Sequence, residues 1–319
     1  MLIALALVIV AGTLAVRFIA AGNERAAEEA FPPEGSFVEV NGVPVHYVQE
    51  GEGPDVILLH GAGGSTRDFT FDFVERLTDR YRVTVFDRPG LGYTGRPEAY
   101  GVWSRDAETP REQARFLQEA SDKLGIETPI VLGHSFGGAV AMAWALERPD
   151  DTGAIVMVGA VSNEWEGGVG QFYNVTASPA GGGIVIPLAT AFVSEDYIEN
   201  TLKAVFRPQP VPEGYAEHIG PRMSARRETA RANGRQVHGL KPYIVEMVPH
   251  YGSLTLPIEI VHGDADDIVP LKVHSIPLSK QVPGAVLTVL EGIGHMPQHV
   301  AAEDTVAAVD RAASRAGLR

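Results

Sequence analysis

Ile130-Val131-Leu132-Gly133-His134-Ser135-Phe136-Gly137-Gly138 decides how the rest of the chain is read. Ile130–Gly133 is a short apolar strand, and Gly137–Glu147 follows as a helix. Gly-His-Ser-Phe-Gly at 133–137 thus sits in a strand–turn–helix, the setting a G-x-S-x-G nucleophile elbow demands. The reason is steric. So tight a turn forces strained dihedrals on the serine, and flanking glycines avoid clashes. The hydroxyl of Ser135 then stands above the carboxyl edge of a sheet. The amide of Phe136, at the helix N-terminus, faces the place where an oxyanion forms.

The same alternation extends on both sides. Phe37–Val40 and Val43–Val48 flank Asn41-Gly42, a strong two-residue hairpin signal. Val56–His60 is a continuous apolar strand running into Gly61-Ala62-Gly63-Gly64. A helix is expected over Arg67–Asp79, a strand over Tyr81–Phe86, a helix over Pro110–Leu124 and a strand over Ala154–Val158. The pattern resumes with strands Ile258–His262 and Val286–Leu290 and helices near Pro270–Lys280 and Glu303–Ala316. Strands this apolar suit a sheet covered on both faces, and strand–helix alternation implies a mostly parallel one with right-handed crossovers. Residues 162–253 interrupt it with a Pro/Gly-broken, mainly helical insertion, read as a cap over an active site. The sheet domain is therefore expected over 36–161 and 254–319.

A serine nucleophile needs a base and an orienting acid. Of ten histidines, His295 lies in Gly292-Ile293-Gly294-His295-Met296-Pro297, just past the last strand and above the same sheet edge as Ser135. His299 lies four residues on, but Pro297 disfavours a helix between them and no third ligand is evident, so a metal site is not expected. Gly263-Asp264-Ala265-Asp266-Asp267 follows the preceding strand. Asp266 lies deepest in that loop and is the expected acid, with Asp264 shaping the turn and Asp267 capping or solvated. A second oxyanion donor is expected from the amide of Ala62, where the chain turns tightly after His60-Gly61. No Gly-Lys-Ser/Thr follows that glycine run, which argues against a phosphate loop.

Composition narrows the classes. The 319 residues carry a net charge of −14, with 45% hydrophobic and 21% charged side chains. That is ordinary globular composition, and its acidity argues against nucleic acid as the main partner. With no cysteine, thiolate chemistry and Cys-ligated metal or iron–sulfur centres are excluded. No cofactor is implied.

One stretch departs from the globular pattern. Residues 1–21 hold no charge before Arg17, and as a helix they would be about 30 Å long, the thickness of a bilayer core. They are read as a single-pass membrane anchor followed by a polar stalk over 22–35. A cleaved signal peptide leading to a secreted or periplasmic protein is the alternative, with Ala20-Ala21-Gly22 offering small residues but no basic residue ahead of the apolar run. Arg17 and Arg25 mildly favour a cytoplasmic body.

Together these residues resemble the α/β-hydrolase superfamily across about 36–316. The resemblance is carried by His60-Gly61, Asp87-Arg88-Pro89-Gly90-Leu91-Gly92, the 133–138 elbow, Gly263-Asp264-Ala265-Asp266 and Gly294-His295. It implies catalytic roles for Ser135, Asp266 and His295, with Ala62 and Phe136 as oxyanion donors. The stretch Asp87–Arg96 is similar to that of haloalkane dehalogenases and epoxide hydrolases, but those use an aspartate nucleophile where this chain has Ser135. Asp87 itself is read as a structural hydrogen-bonder. The expected activity is ester hydrolysis on a small, lipophilic substrate. Thioester, amide or C–C bond hydrolysis, cofactor-free perhydrolysis and a non-catalytic ligand-binding role are the alternatives. In the cap, Trp165, Phe172, Tyr173, Ile184, Val185, Ile186, Leu188, Phe192 and Phe206 suit a pocket lining or a small core. Arg222, Arg226, Arg227, Arg231 and Arg235 fall at helical spacing from Pro221 to a stop at Asn233-Gly234. They are expected to form a cationic side, solvated or facing anionic lipid.

Overall fold

The computed structural model describes residues 1–97 and 106–319. Eight strands form one sheet: β1 (Ser36–Val40), β2 (Val43–Glu50), β3 (Asp55–Leu59), β4 (Arg82–Phe86), β5 (Ile130–His134), β6 (Ala154–Val158), β7 (Ile258–Gly263) and β8 (Val286–Leu290). Their order is β1-β2-β4-β3-β5-β6-β7-β8, with β2 antiparallel to β1 and β4 and every pair from β4 to β8 parallel. The hairpin at Asn41-Gly42 forms as expected, with Val40 opposite Val43.

Side chains alternate across the sheet with the two-residue period of a strand. Ile57, Leu59, Val131, Ile155 and Ile260 face one side, and pack with α3 (Pro110–Lys123) and α4 (Phe136–Glu147). Val56, Leu58, Leu132, Val156 and Val261 face the other, under Phe69, Phe73, Leu77 and α12 (Ala302–Arg315). Both faces are covered, which is why the central strands are wholly apolar. α3 begins with a capping box between Thr109 and Glu112 and a proline in its first turn.

The strand order also places the site. From β3 the chain crosses outward to β4, and from β5 it crosses the opposite way to β6. Loops leaving the carboxyl ends of β3 and β5 diverge, and such a switch point leaves a crevice. Leu59 is in register with Gly133, so the loops starting at His60 and Ser135 open side by side.

The expected helix over 67–79 is regular only in α2 (Thr66–Thr70). Beyond it, hydrogen bonds of mixed span, from Val74 to Phe69 and from Leu77 to Val74, make a chain of turns. Phe69, Phe73, Val74 and Leu77 still reach the core.

Between β6 and β7 lie the inserted helices α5 (Gln171–Ala177), α6 (Ile186–Phe192), α7 (Glu195–Phe206), α8 (Tyr215–Ile219) and α9 (Arg227–Met247), with α10 (Ser275–Gln281) and α11 (Pro297–Val300) after β7 and β8. The arginine reading is corrected here. Pro221 does open a helical turn, but only a short 3-10 helix over Pro221–Ala225; the chain breaks at Arg226, and the α-helix begins at Arg227 and runs through Asn233-Gly234. Gly234 continues it because a Cβ there would sit 2.5 Å from Thr176 Oγ1, so the glycine permits close α5–α9 packing. The arginines are not a free cationic side. Arg222 pairs with Glu195, Arg226 with Glu28 and Arg227 with Glu24, while Arg231 and Arg235 are buried.

The first helix, α1, spans Leu2–Ala30 and is the one helix among the described residues long and apolar enough by itself to cross a membrane. Residues 22–30, expected within the stalk, continue that helix. Ala26, Ala27, Glu28, Glu29 and Ala30 are good helix formers, and the turn is held to the cap. Ala20 and Ala27 are buried, Asn23 Nδ2 donates to the carbonyls of Thr190 and Ala191, and Glu24 accepts from Arg227.

Candidate active site

Ser135 lies at the turn from β5 to α4 with φ +53° and ψ −118°. Non-glycine residues rarely occupy this region, and such strain persists only where the surroundings enforce it. Here they do. The Ser135 amide donates to the Val158 carbonyl at 3.1 Å, and the Ser135 carbonyl accepts from Gly138 and Val161 at 3.1 Å each. A Cβ on Gly137 would lie 2.1 Å from the Leu59 carbonyl, so only glycine lets α4 approach β3.

His295 Nε2 is 3.0 Å from Ser135 Oγ, and His295 Nδ1 is 2.8 Å from Asp266 Oδ2. An ionised carboxylate only accepts, so Nδ1 carries the proton and Nε2 is left to accept from the serine hydroxyl. The structure brings all three residues together from the ends of β5, β7 and β8. Of the loop's aspartates, Asp266 is the buried one at 5% exposure. Asp264 accepts from the Gly292 amide, shaping the turn, and Asp267 faces Arg207 at the surface.

Asp266 is held in place on every side. Its Oδ1 accepts from the amides of Ile268 and Val269 at 2.9 Å each. Burial works against its charge, but hydrogen bonds from His262 and His295 outweigh that and hold its carboxyl well below the usual range. His262 is fixed in turn. Its Nε2 donates to the Val269 carbonyl at 2.7 Å, and its Nδ1 accepts from Ser275 Oγ at 2.6 Å.

His134 lies beneath His295. Its Nε2 donates to the His295 carbonyl at 2.9 Å, and the rings are 4.9 Å apart. Burial and the neighbouring His295 lower its pKa to about 4, so it is neutral at physiological pH.

The Gly61–Ala62 loop lies against Ser135, since a Cβ on Gly61 would fall 3.1 Å from Ser135 Cβ. Its orientation is set by Arg88, whose role no sequence spacing signals. Arg88 is fully buried. Nε donates to the His60 carbonyl and Nη2 to the Gly61 carbonyl, both at 2.9 Å, and Nη1 donates to Gln113 and to Gln236 of α9. The guanidinium carbon is 4.3 Å from the centroid of the Phe136 ring. His60 adds a donor from Nδ1 to the Gly61 carbonyl at 2.9 Å.

Two further histidine–aspartate pairs are structural. Asp87 is buried, accepting from His46, Thr66 and Tyr93. His299, paired on paper with His295, instead lies between Asp68 and Asp72 at 3.0 and 3.1 Å, and Tyr215 of α8 donates to Asp68 at 2.6 Å.

Fold and site define a class. The pattern of the family described as alpha/beta hydrolase fold matches residues 54–302, and the chain belongs to that family. It is 27% identical over 292 residues to haloalkane dehalogenase 2 of Mycobacterium tuberculosis, covering 88% of this chain and 95% of the relative. It is 28% identical over 285 residues to 2-hydroxymuconate semialdehyde hydrolase of Pseudomonas putida, covering 85% and 91%. Among solved structures, an esterase from Exiguobacterium antarcticum shares the fold with a TM-score of 0.66 at 19% identity, covering 88% of this chain and 99% of that one. The chain is a hydrolase of this family.

Proposed function

We propose that this hydrolase cleaves carboxylic esters of lipophilic character through Ser135, His295 and Asp266, and that α1 holds it at a membrane. The observation that carries the reading is the unbroken hydrogen-bond chain from Ser135 Oγ through His295 to Asp266.

Ser135 Oγ attacks the ester carbonyl as His295 Nε2 takes its proton. Asp266 keeps the imidazole in the required tautomer and stabilises the imidazolium without taking a proton itself. The tetrahedral oxyanion is held by the amides of Ala62 and Phe136. The fixed Gly61 carbonyl supports this, because a trans peptide aims its N–H opposite its C=O, so the Ala62 amide is turned away from Arg88. Collapse expels the alcohol, which receives the proton from His295. Water then gives a proton to His295, attacks the acyl group and releases the acid, restoring Ser135.

A second reading is favoured by the P. putida relative, whose name denotes hydrolysis of a semialdehyde. The same serine and base then act on a carbon–carbon bond. Rates on p-nitrophenyl esters of increasing acyl length, set against a vinylogous dicarbonyl substrate, separate the two. In either case a fluorophosphonate should label Ser135, and Ser135→Ala should abolish turnover while the fold persists. Full activity in that variant overturns the assignment.

A further inference from the structure

From Gly167 to Ser194 the chain contains no Asp, Glu, Lys or Arg, although 21% of its residues are charged. This stretch folds into α5 and α6, joined through a π-helical turn over Gly181–Val185 and bent by 90°. One side is buried, through Thr176, Ala177, Ile186, Thr190 and Ala191. The other leaves Phe172, Ile184, Val185, Leu188 and Phe192 exposed, from 41% at Val185 to 62% at Ile184. The expectation that these side chains line a pocket or form a cap core therefore fails for all five, while Ile186 and Phe206 are buried. Elsewhere in the body, exposed large apolar residues such as Phe37, Val245 and Val289 are scattered singly, which is ordinary. A clustered, charge-free apolar face is not, and marks a surface that meets something apolar.

α1 says what that is. The apolar 18-residue part of α1 has none of its residues buried against the body. Ala20 is the first fully buried residue of α1, and α6 packs alongside α1. Asn23 binds the carbonyls of Thr190 and Ala191, in the last turn of α6. Ile19 and Asn23 are one helical turn apart, about 6 Å. So the exposed apolar face begins next to the point where α1 leaves its unburied stretch. Glu24 and Glu28, bound to Arg227 and Arg226, tie α1 to the start of α9 as well.

We infer that the cap face of Ile184, Val185, Leu188 and Phe192 seats in the interfacial layer of the same phospholipid bilayer that α1 crosses. The inference rests on reading α1 as a spanning helix, and it deepens the proposed activity by making bilayer-dissolved esters the substrate class. Apolar insertion holds the face there, as in interfacial helices. Headgroup charge does not, because Arg222, Arg226 and Arg227 are each paired with a glutamate. Neutral phosphatidylcholine should therefore suffice.

The absence of cysteine makes a direct test possible in the full chain. Leu188→Cys, Phe192→Cys, Ile9→Cys and Val289→Cys, each labelled with an environment-sensitive fluorophore, would be placed in phosphatidylcholine nanodiscs carrying nitroxide lipids. Labels at 188 and 192 should show blue-shifted emission and lose it to headgroup-level nitroxide, with no such change at 289. Labels at 188 and 192 as wet and unquenched as at 289, with position 9 quenched by deep nitroxide, overturn the seating alone. An unquenched position 9 overturns the spanning reading and the inference with it. As a second measurement, Leu188→Ser with Phe192→Ser should keep the rate on a short water-soluble ester and lower it on an ester dissolved in the bilayer. Equal rates on both overturn the inference.

Discussion

Arg88 donates to the carbonyl of Gly61 at 2.9 Å from a position with no exposure to solvent. The bond acts on the neighbouring peptide plane, because fixing a C=O also fixes the N–H on its far side. Its second hold is on the ring of Phe136, the residue whose amide is the other proposed oxyanion donor. Burial, only partly offset by Glu108 and Asp87, lowers the pKa of Arg88 to about 9, which leaves it cationic at neutral pH. Removing an oxyanion donor outright costs about 10²–10³ in kcat. Arg88→Met loosens a donor without deleting it, so kcat should fall roughly 10- to 100-fold with KM little changed. Arg88→Lys should not restore it, since an ammonium lacks the guanidinium fork. Steady-state kinetics beside a melting curve check this, and an unchanged kcat in a folded variant sinks it.

Asp266→Asn should leave the loop folded, because Ile268 and Val269 can still donate to a side-chain carbonyl oxygen. It should lower kcat by about 10³–10⁴, since an amide in place of the carboxylate favours the wrong imidazole tautomer. Fluorophosphonate labelling of Ser135 should slow in parallel. Labelling at the original rate would show that Asp266 is not the orienting acid.

How much of this could be read from the chain depends on the range of the signal. Ser135, Asp266 and His295 each follow an apolar strand, and a parallel sheet brings all such ends to one edge, so local patterning was enough to gather them. Asp266 was separable from Asp264 and Asp267 by its depth in the turn. Arg88 was not legible, because its partners at 61, 113 and 236 come from four separate segments once its own is counted, and no periodicity links them. The cap arginines misled for a related reason. The i, i+4 spacing of Arg227, Arg231 and Arg235 does fall on one helix, whereas Arg222 and Arg226 precede it, and burial against α5 and pairing with Glu24 and Glu28 are decided by what packs there. The break expected at Gly234 failed because close packing against Thr176 favours glycine within a helix.

The Asp68–His299–Asp72 group joins the sheet domain to Tyr215 of the cap, and its stability should depend on pH. Burial disfavours the charged imidazole, but hydrogen bonds to Asp68 and Asp72 prevail and raise His299 to about 9. A histidine raised above its unfolded value of roughly 6.5 contributes stability that is full below that pH and lost as pH rises through about 9. Asp68 is held below the usual carboxylate range, burial being outweighed by His299, so its share fades only in acid. These describe one interaction and count once. The melting temperature should fall between pH 6.5 and 9.5 more steeply in the native chain than in His299→Gln. Parallel curves would refute the assignment.

The N-terminus of α9 has no side-chain cap of its own. Glu24 of α1 supplies one, its Oε1 accepting from the Arg227 amide at 2.8 Å while its carboxylate binds the Arg227 guanidinium. A carboxylate there also meets the positive end of the helix dipole. Partial burial works against the charge of Glu24, but the bonds to Arg227 prevail and lower its pKa. Loss of such a cap costs about 1 kcal/mol. Glu24→Ala should therefore speed amide exchange over Arg227–Thr229 roughly fivefold, with little change in the sheet. Acid should act alike: a carboxylate with a depressed pKa contributes fully above its unfolded value of 4.5 and loses that contribution as pH falls through the folded one. Exchange measured by mass spectrometry at neutral pH would decide the matter. Unaltered protection at 227–229 would mean that α1 rests on the cap without holding it.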